Sequence, residues 1–301
     1  MEAKVDVHHH YLPEDIVAAL ARSLIGQKTT NGPPIPRWSP ATSSQYMGTV
    51  GASTAILSFP LTFAFEGEAG RKVARQVNEY AAGVRDSDPK RFGFLAAIPS
   101  LLDTEHALLE IRHALDHLQA DGVMLCARYG DAYLGHSAFT PIWEELHQRS
   151  AVVLVHPGSS FLSGPRCNQY VDPTVAEFPH ETTNTALDMI MNNTLRLYPR
   201  CRVILSHAGG TLPFLPASEI LEDFTAFYFD LALSSSAYTL DLLLKHVPRD
   251  HILCGSDFPF APPPATAALA KELDEYPMED ETRAMIYWKN AAALFPRLRE
   301  Q

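Results

Sequence analysis

Hydrophobic residues along the chain fall into eight short, nearly continuous runs, separated by longer stretches in which apolar positions recur at helical spacing. The runs are "AKVDVHH" near the N-terminus, "STAILSFP" (53–60), "RFGFLAAIP" (91–99), "DGVMLCAR" (121–128), "AVVLVHP" (151–157), "CRVILSHAG" (201–209), "AFYFDLAL" (226–233) and "HILCGSDFP" (251–259). Runs of this length and apolarity predict strands buried on both faces, as in a parallel sheet. The stretches "EAGRKVARQVNEYAAGV" (68–84), "DTEHALLEIRHALDHL" (103–118), "AFTPIWEELHQRS" (138–150) and "TTNTALDMIMNNTLRL" (182–197) predict amphipathic helices. Asp103 is a candidate N-cap, and Pro89 follows a helix stop.

Eight strands alternating with helices predict an α/β protein with a (β/α)8 TIM-type barrel. An open doubly wound sheet would show the same alternation, but no G-x-G-x-x-G loop follows the first strand. The 301 residues suit one such barrel, so residues 1–301 are expected to form a single domain, with a short insertion after the first strand. Two long loops stand out: the proline-rich "GQKTTNGPPIPRWSP" (26–40), and residues 158–180, which carry Phe161, Arg166, Tyr170 and Phe178. Both are expected to shape the mouth of the barrel, since long loops in compact domains usually serve function.

The bulk composition narrows the partners. Net charge is −11, and no basic run stands out, so nucleic acid is not an expected partner. A small anionic substrate would need a local positive centre such as a metal ion. The N-terminus lacks the positive and apolar regions of a signal peptide, and no run approaches the ~18 apolar residues of a membrane span. Cys126, Cys167, Cys201 and Cys254 form no C-x-x-C pair, and three of them lie in strand-like runs. They are expected to be reduced core residues of a cytoplasmic protein.

Barrel active sites are built at the C-terminal ends of the strands, and the polar residues fall there. In "VDVHHHYLP" the three histidines continue an apolar run and lead into a helix start, which separates them from an affinity tag. Strand alternation puts Asp6, His8 and His10 on one face and His9 on the other. His156 ends the fifth strand, His207 the sixth and Asp257 the eighth. Any one of these reads more simply as a structural histidine or a turn aspartate; together, all at strand ends, they point to one site. His8, His10, His156 and Asp257 offer three nitrogens and one oxygen, a set suited to one divalent metal, most readily Zn²⁺, with Mn²⁺ or Fe²⁺ also fitting. Asp6 is expected to hold the strand-one end, and His9 to pack or make an outer hydrogen bond. His207 is then free for proton transfer, with Asp257 as the other candidate for a proton relay. No lysine ends strand four to bridge a second metal. Arg128 stands there instead, either clamping a substrate carboxylate or making a loop salt bridge.

The motifs "DVHHHYLP", "GASTAILSFP", "GDAYLGHSAFTPIWEEL", "LVHPG", "ILSHAGGTLPF", "CGSDFPF" and "NAAALF" span almost the whole chain. As an ensemble they resemble the amidohydrolase superfamily, in the branch of aminocarboxymuconate-semialdehyde decarboxylase and its relatives. The resemblance implies a (β/α)8 barrel, one divalent metal, and a homodimer or homotetramer. It maps metal ligation onto His8, His10, His156 and Asp257 and the acid/base onto His207. Many dihydroxybenzoate decarboxylases of the branch have a glutamate where this chain has His8, and "PRWSPATSSQYMGTVGASTAILSFP" looks most like the 6-methylsalicylate decarboxylase group.

The expected function is metal-dependent, non-oxidative decarboxylation of a small aromatic or unsaturated carboxylic acid, such as an ortho-hydroxybenzoate. The rivals are a metal-dependent hydrolase of a lactone or amide, and a barrel that only binds. In relatives acting on the dicarboxylic muconate, an arginine follows the strand-six histidine beyond a "PF" pair. Here Ser218 takes that position, and no arginine or lysine lies between His207 and Lys245. A monocarboxylic substrate with its apolar body against Trp38 is therefore expected, although Arg37, Arg128 or Arg166 could supply a charge from another direction.

Overall fold

Each of the eight apolar runs forms a strand in the computed structural model, which describes residues 3–24, 35–158, 174–215 and 223–300. Phe161, Cys167, Arg166, Tyr170, Ser218 and most of the 26–40 loop lie outside the described residues. The strands are β1 (Lys4–His10), β2 (Ala52–Ser58), β3 (Phe92–Ala97), β4 (Gly122–Cys126), β5 (Val152–His156), β6 (Arg202–Leu205), β7 (Tyr228–Asp230) and β8 (Ile252–Leu253). They pair in sequence order, and every pairing is parallel. The ring closes where β8 runs out. The Val7 N–H donates to the Cys254 carbonyl at 3.0 Å, the Asp257 N–H to that of His8 at 2.8 Å and the His10 N–H to that of Phe258 at 2.7 Å.

The absence of alternation in the strands follows from burial on both sides. Val5, Val7, Ile56, Leu95, Met124, Val152, Leu154, Ile204 and Leu253 fill the barrel, and Leu294 and Phe295 from the "NAAALF" run join them as a plug. The outer faces pack against the helices in two further clusters. Because the interior is packed, chemistry is confined to the rim where the strands end.

The helices follow the periodicity with local differences. The 68–84 pattern becomes Gly67–Ser87, and 138–150 becomes Thr140–Gln148 after a 3-10 turn. Asp103 occupies the N-cap position of Thr104–Arg112, but its carboxylate accepts from Arg71 and pairs with His106 rather than capping an amide. The 182–197 pattern begins earlier, at Glu177, and breaks after Met191, where Asn193 takes a left-handed φ of 57°. Asparagine tolerates that conformation better than most residues and ends the helix there.

Cys126, Cys201 and Cys254 are buried thiols outside any disulfide. Burial pushes the Cys201 and Cys254 thiols up to about 12. At neutral pH their thiolate population is then roughly 10³-fold below that of an exposed cysteine. Alkylation of the native protein should leave both unlabelled, with labelling only after unfolding, as mapped by peptide mass spectrometry. Fast native labelling of either would contradict this packing.

Candidate metal centre

The strand ends bring His8 and His10 (β1), His156 (β5), His207 (after β6) and Asp257 (after β8) to one place, as the sequence predicts. One ligand atom from each of His8, His156, His207 and Asp257 lies within 4.8 Å of the others. His10 completes the cluster, its Nε2 3.0 Å from His8 Nε2 and 2.9 Å from Asp257 Oδ1. The two oxygens of Asp257 face different ways. Oδ1 faces His10 and, at 3.5 Å, His8; Oδ2 faces His207 Nε2 at 3.7 Å.

Two of these side chains are aimed by unusual backbone. His207 and Asp257 have left-handed φ values of 54° and 59°. Non-glycine residues adopt that region rarely and at a cost, which is characteristic of functional positions. The turn after β6 continues left-handed through Gly210, where a Cβ would lie 2.2 Å from the Pro179 carbonyl oxygen. Only glycine fits there.

Strand β1 departs from the alternation that sequence predicts. Asp6 pairs with Ala55 and His9 with Leu57, so β1 carries one extra residue, a bulge. Asp6 therefore reaches His9 rather than the His8–His10 face: Asp6 Oδ2 lies 2.8 Å from His9 Nδ1. Its other oxygen accepts the amides of Ser256 at 3.0 Å and His8 at 3.3 Å, which holds the strand-one end.

Two residues escaped the sequence reading. Asp230 ends β7, fully buried, with Oδ2 2.9 Å from His8 Nδ1 and Oδ1 accepting the amides of His207 and Ala232. Ser58 ends β2, with Oγ and carbonyl 3.0 and 3.3 Å from His10 Nδ1. The only signal for Asp230 was a carboxylate inside an apolar run, costly to bury without partners.

These neighbours show what the cluster can hold. Facing Asp230, His8 Nδ1 carries the proton, which leaves Nε2 a lone pair. With its Nδ1 proton on Ser58, His10 likewise turns a lone pair inward. His156 Nε2 is buried and has no hydrogen-bond partner among the described residues. Electron-rich atoms so placed, beside a carboxylate, fit a divalent cation. The electrostatics agree. Burial alone would lower His8, but Asp230 and then Asp257 outweigh it and push it up to about 10, so in the metal-free chain the same field retains a proton. His156 is driven well below its ordinary value by burial and by the neighbouring imidazoles. For Asp257, burial works against ionisation, but hydrogen bonds from His10, His207 and His8 prevail and hold it well below the carboxylate range.

Aromatic rings flank the cluster. Phe260 lies edge-on to His10 at 5.5 Å and Phe178 to His156 at 6.2 Å, centroid to centroid. Arg128 follows β4. Its Nη1 donates to the Gly130 carbonyl, and its Nε stands 3.8 Å from buried Glu181. Trp38 is buried, packs near Tyr11 and Tyr80, and donates its indole N–H to Ser43 Oγ at 2.8 Å.

Comparison with known proteins bears on this geometry. The chain is 39% identical to the 6-methylsalicylic acid decarboxylase of Aspergillus aculeatus, over 98% of this chain and 97% of that one. Its fold superposes on a solved amidohydrolase II with a TM-score of 0.89 and 26% identity, covering 98% of this chain and all of the other. It also superposes on a dihydroxybenzoic acid decarboxylase from Polaromonas, solved with bound manganese and the inhibitor 2-nitroresorcinol (TM-score 0.79, 20% identity, 98% and 97% covered). Residues 5–297 match the amidohydrolase family, and with its histidines and aspartate on the rim of an eight-stranded parallel barrel the chain belongs to that family.

Proposed function

We propose that the protein is a metal-dependent carboxy-lyase that removes CO2, without oxidation, from a salicylate-type acid such as 6-methylsalicylate. The observation that carries this reading is the convergence of five strand-end groups on one point, in a chain closely similar to a 6-methylsalicylic acid decarboxylase. We assign metal ligation to His8, His10, His156 and Asp257. When bound, the metal, Zn²⁺ by its three-nitrogen, one-oxygen donor set, with Mn²⁺ or Fe²⁺ also accommodated, supplies the charge that fixes the acid and polarises its ring.

The remaining chemistry belongs to the chain. Loss of CO2 leaves an electron pair on a ring carbon, and a proton must arrive there. His207 Nε2, facing Asp257 Oδ2, is placed to hold and deliver it, and the pair forms the relay. Phe178 and Phe260 keep water from the ring. Arg128, steadied near Glu181, is assigned to the substrate carboxylate. Trp38, in one cluster with Phe258 and Phe260, is assigned to the apolar side of the pocket. The working form is proposed to be a cytoplasmic homodimer or homotetramer, which light scattering of the purified protein would check. Among the described residues, no helix is long and apolar enough to cross a membrane.

Incubation of the metal-loaded protein with 6-methylsalicylate in D2O tests the reading. The expected product is 3-methylphenol with deuterium at the carbon that lost the carboxylate. A hydrolase would instead add water across a lactone or amide and release no CO2, and that outcome would replace this function.

Charge also limits the substrate. No arginine or lysine lies between His207 and Lys245, so a second carboxylate beside the strand-six turn would lack a fixed partner. Burying it unpaired costs several kcal/mol. The dicarboxylic muconate semialdehyde should show at least ~100-fold lower kcat/KM than the salicylate-type monoacid, a gap of about 2.7 kcal/mol. Equal turnover of both would refute the monoacid assignment.

A further inference from the structure

The middle histidine of the "HHH" run has no place in the site above, yet it is fully buried and bonded at both ring nitrogens. His9 Nε2 lies 2.8 Å from Ser43 Oγ, and His9 Nδ1 lies 2.8 Å from Asp6 Oδ2. Serine, histidine and aspartate in that order have the geometry of a hydrolytic triad. Here Ser43 is fully buried and already accepts the Trp38 indole N–H, so no substrate can reach it. The arrangement calls for another role.

The proton directions are fixed from both ends. Indole only donates, so Trp38 gives its hydrogen to Ser43; the Asp6 carboxylate only accepts, so a neutral His9 carries its proton on Nδ1. The Ser43 hydroxyl then donates to His9 Nε2. Asp6 passes the connection on, accepting Ser256 Oγ–H at 2.5 Å and Ser256 N–H at 3.0 Å. Ser256 Oγ accepts the Phe258 N–H at 3.1 Å. The Phe258 ring lies 4.9 Å from His9 and stacks on Tyr46 at 4.3 Å. Residues 256 and 258 are thus both tied to His9, and between them stands Asp257 in its left-handed conformation.

We propose that the buried chain Trp38–Ser43–His9–Asp6–Ser256 is a brace that holds Asp257 in its strained conformation, with His9 as the positioning residue. It joins the loop after β8 to the helix Pro40–Val50, 34 residues from His9 in sequence. The brace rests on the function above only for its effect on turnover; its effect on the loop is independent of metal and substrate. A buried bond network of this kind outside the ligands commonly contributes 10–100-fold to activity or metal affinity.

The test compares Ser43→Ala and His9→Asn with Tyr11→Phe. Tyr11 packs in the same cluster as Trp38 and its hydroxyl donates to the Val77 carbonyl, outside the brace, so its variant reports loss of a buried hydroxyl without the brace. Hydrogen exchange of the 256–258 amides, measured on the full metal-free chain, should quicken at least ~10-fold in Ser43→Ala and His9→Asn and stay unchanged in Tyr11→Phe. With cobalt as the probe metal, the visible spectrum of the two brace variants should shift. Their kcat should fall ~10–100-fold with KM within about threefold of the parent. Unchanged exchange at 256–258 in both variants, or the same change in Tyr11→Phe, would overturn the brace. Faster exchange in a protein whose parent neither binds cobalt nor decarboxylates would support the brace and refute the function.

Discussion

Asp257→Ala is expected to lose most of its bound metal and nearly all turnover, and His156→Ala to do the same. The parent protein should hold about one divalent metal per chain, because one ligand set converges among the described residues and no lysine stands at the end of β4 to bridge a second. Asp257 contributes the carboxylate that faces both His8 and His10, at 3.5 and 2.9 Å. Without it, three imidazoles face one another with no negative partner but Asp230, which is engaged with His8 Nδ1 and two amides. His156 is the complementary case. Its buried Nε2 has no hydrogen-bond partner among the described residues, so its removal deletes a donor whose lone pair faces the cluster alone. The loss of affinity should exceed the about 10–100-fold that outer partners supply. Metal analysis after gel filtration is the measurement. Two metals per chain in the parent, or full retention in both variants, would sink the ligand assignment.

His207→Ala should behave differently, keeping metal and fold while kcat falls by ~10²–10⁴-fold, the range for losing a positioned acid or base. The reason lies in the geometry of Asp257. His207 addresses Oδ2 at 3.7 Å, the oxygen turned away from His8 and His10, and its imidazole is part-exposed. Its backbone is held independently, its amide donating to Asp230 Oδ1, so the turn should survive the loss of the ring. Metal content and circular dichroism, read beside kcat, separate the roles. Loss of metal in this variant would make His207 a ligand and displace one of the four assigned.

The residues that converge on the rim were legible because each sits at the end of an apolar run. In a parallel barrel those ends converge whatever the loops do, so strand order alone gathers His8, His10, His156, His207 and Asp257. The same logic failed for Asp230. Its run, "AFYFDLAL", read as strand throughout, and the carboxylate there is explained by partners the fold brings to it, the His8 ring and the His207 amide. It failed for Arg128 in another way: sequence left substrate clamp and loop salt bridge open, and Glu181, the nearby acid, comes from a helix 53 residues on.

By itself, then, the sequence determined the eight strands, their parallel order and which ends carry chemistry, because apolar periodicity and chain connectivity are local properties. Tertiary structure alone decided the pairing of Asp6 with His9, since a one-residue bulge reverses the strand alternation and arises from the fit of β1 against β2. It alone decided the partners of His9, because Ser43 and Trp38 reach the histidine only when the helix after the first loop packs back on β1. It also set the left-handed backbone of His207 and Asp257, a strain no local preference selects, sustained by hydrogen bonds from residues distant in the chain.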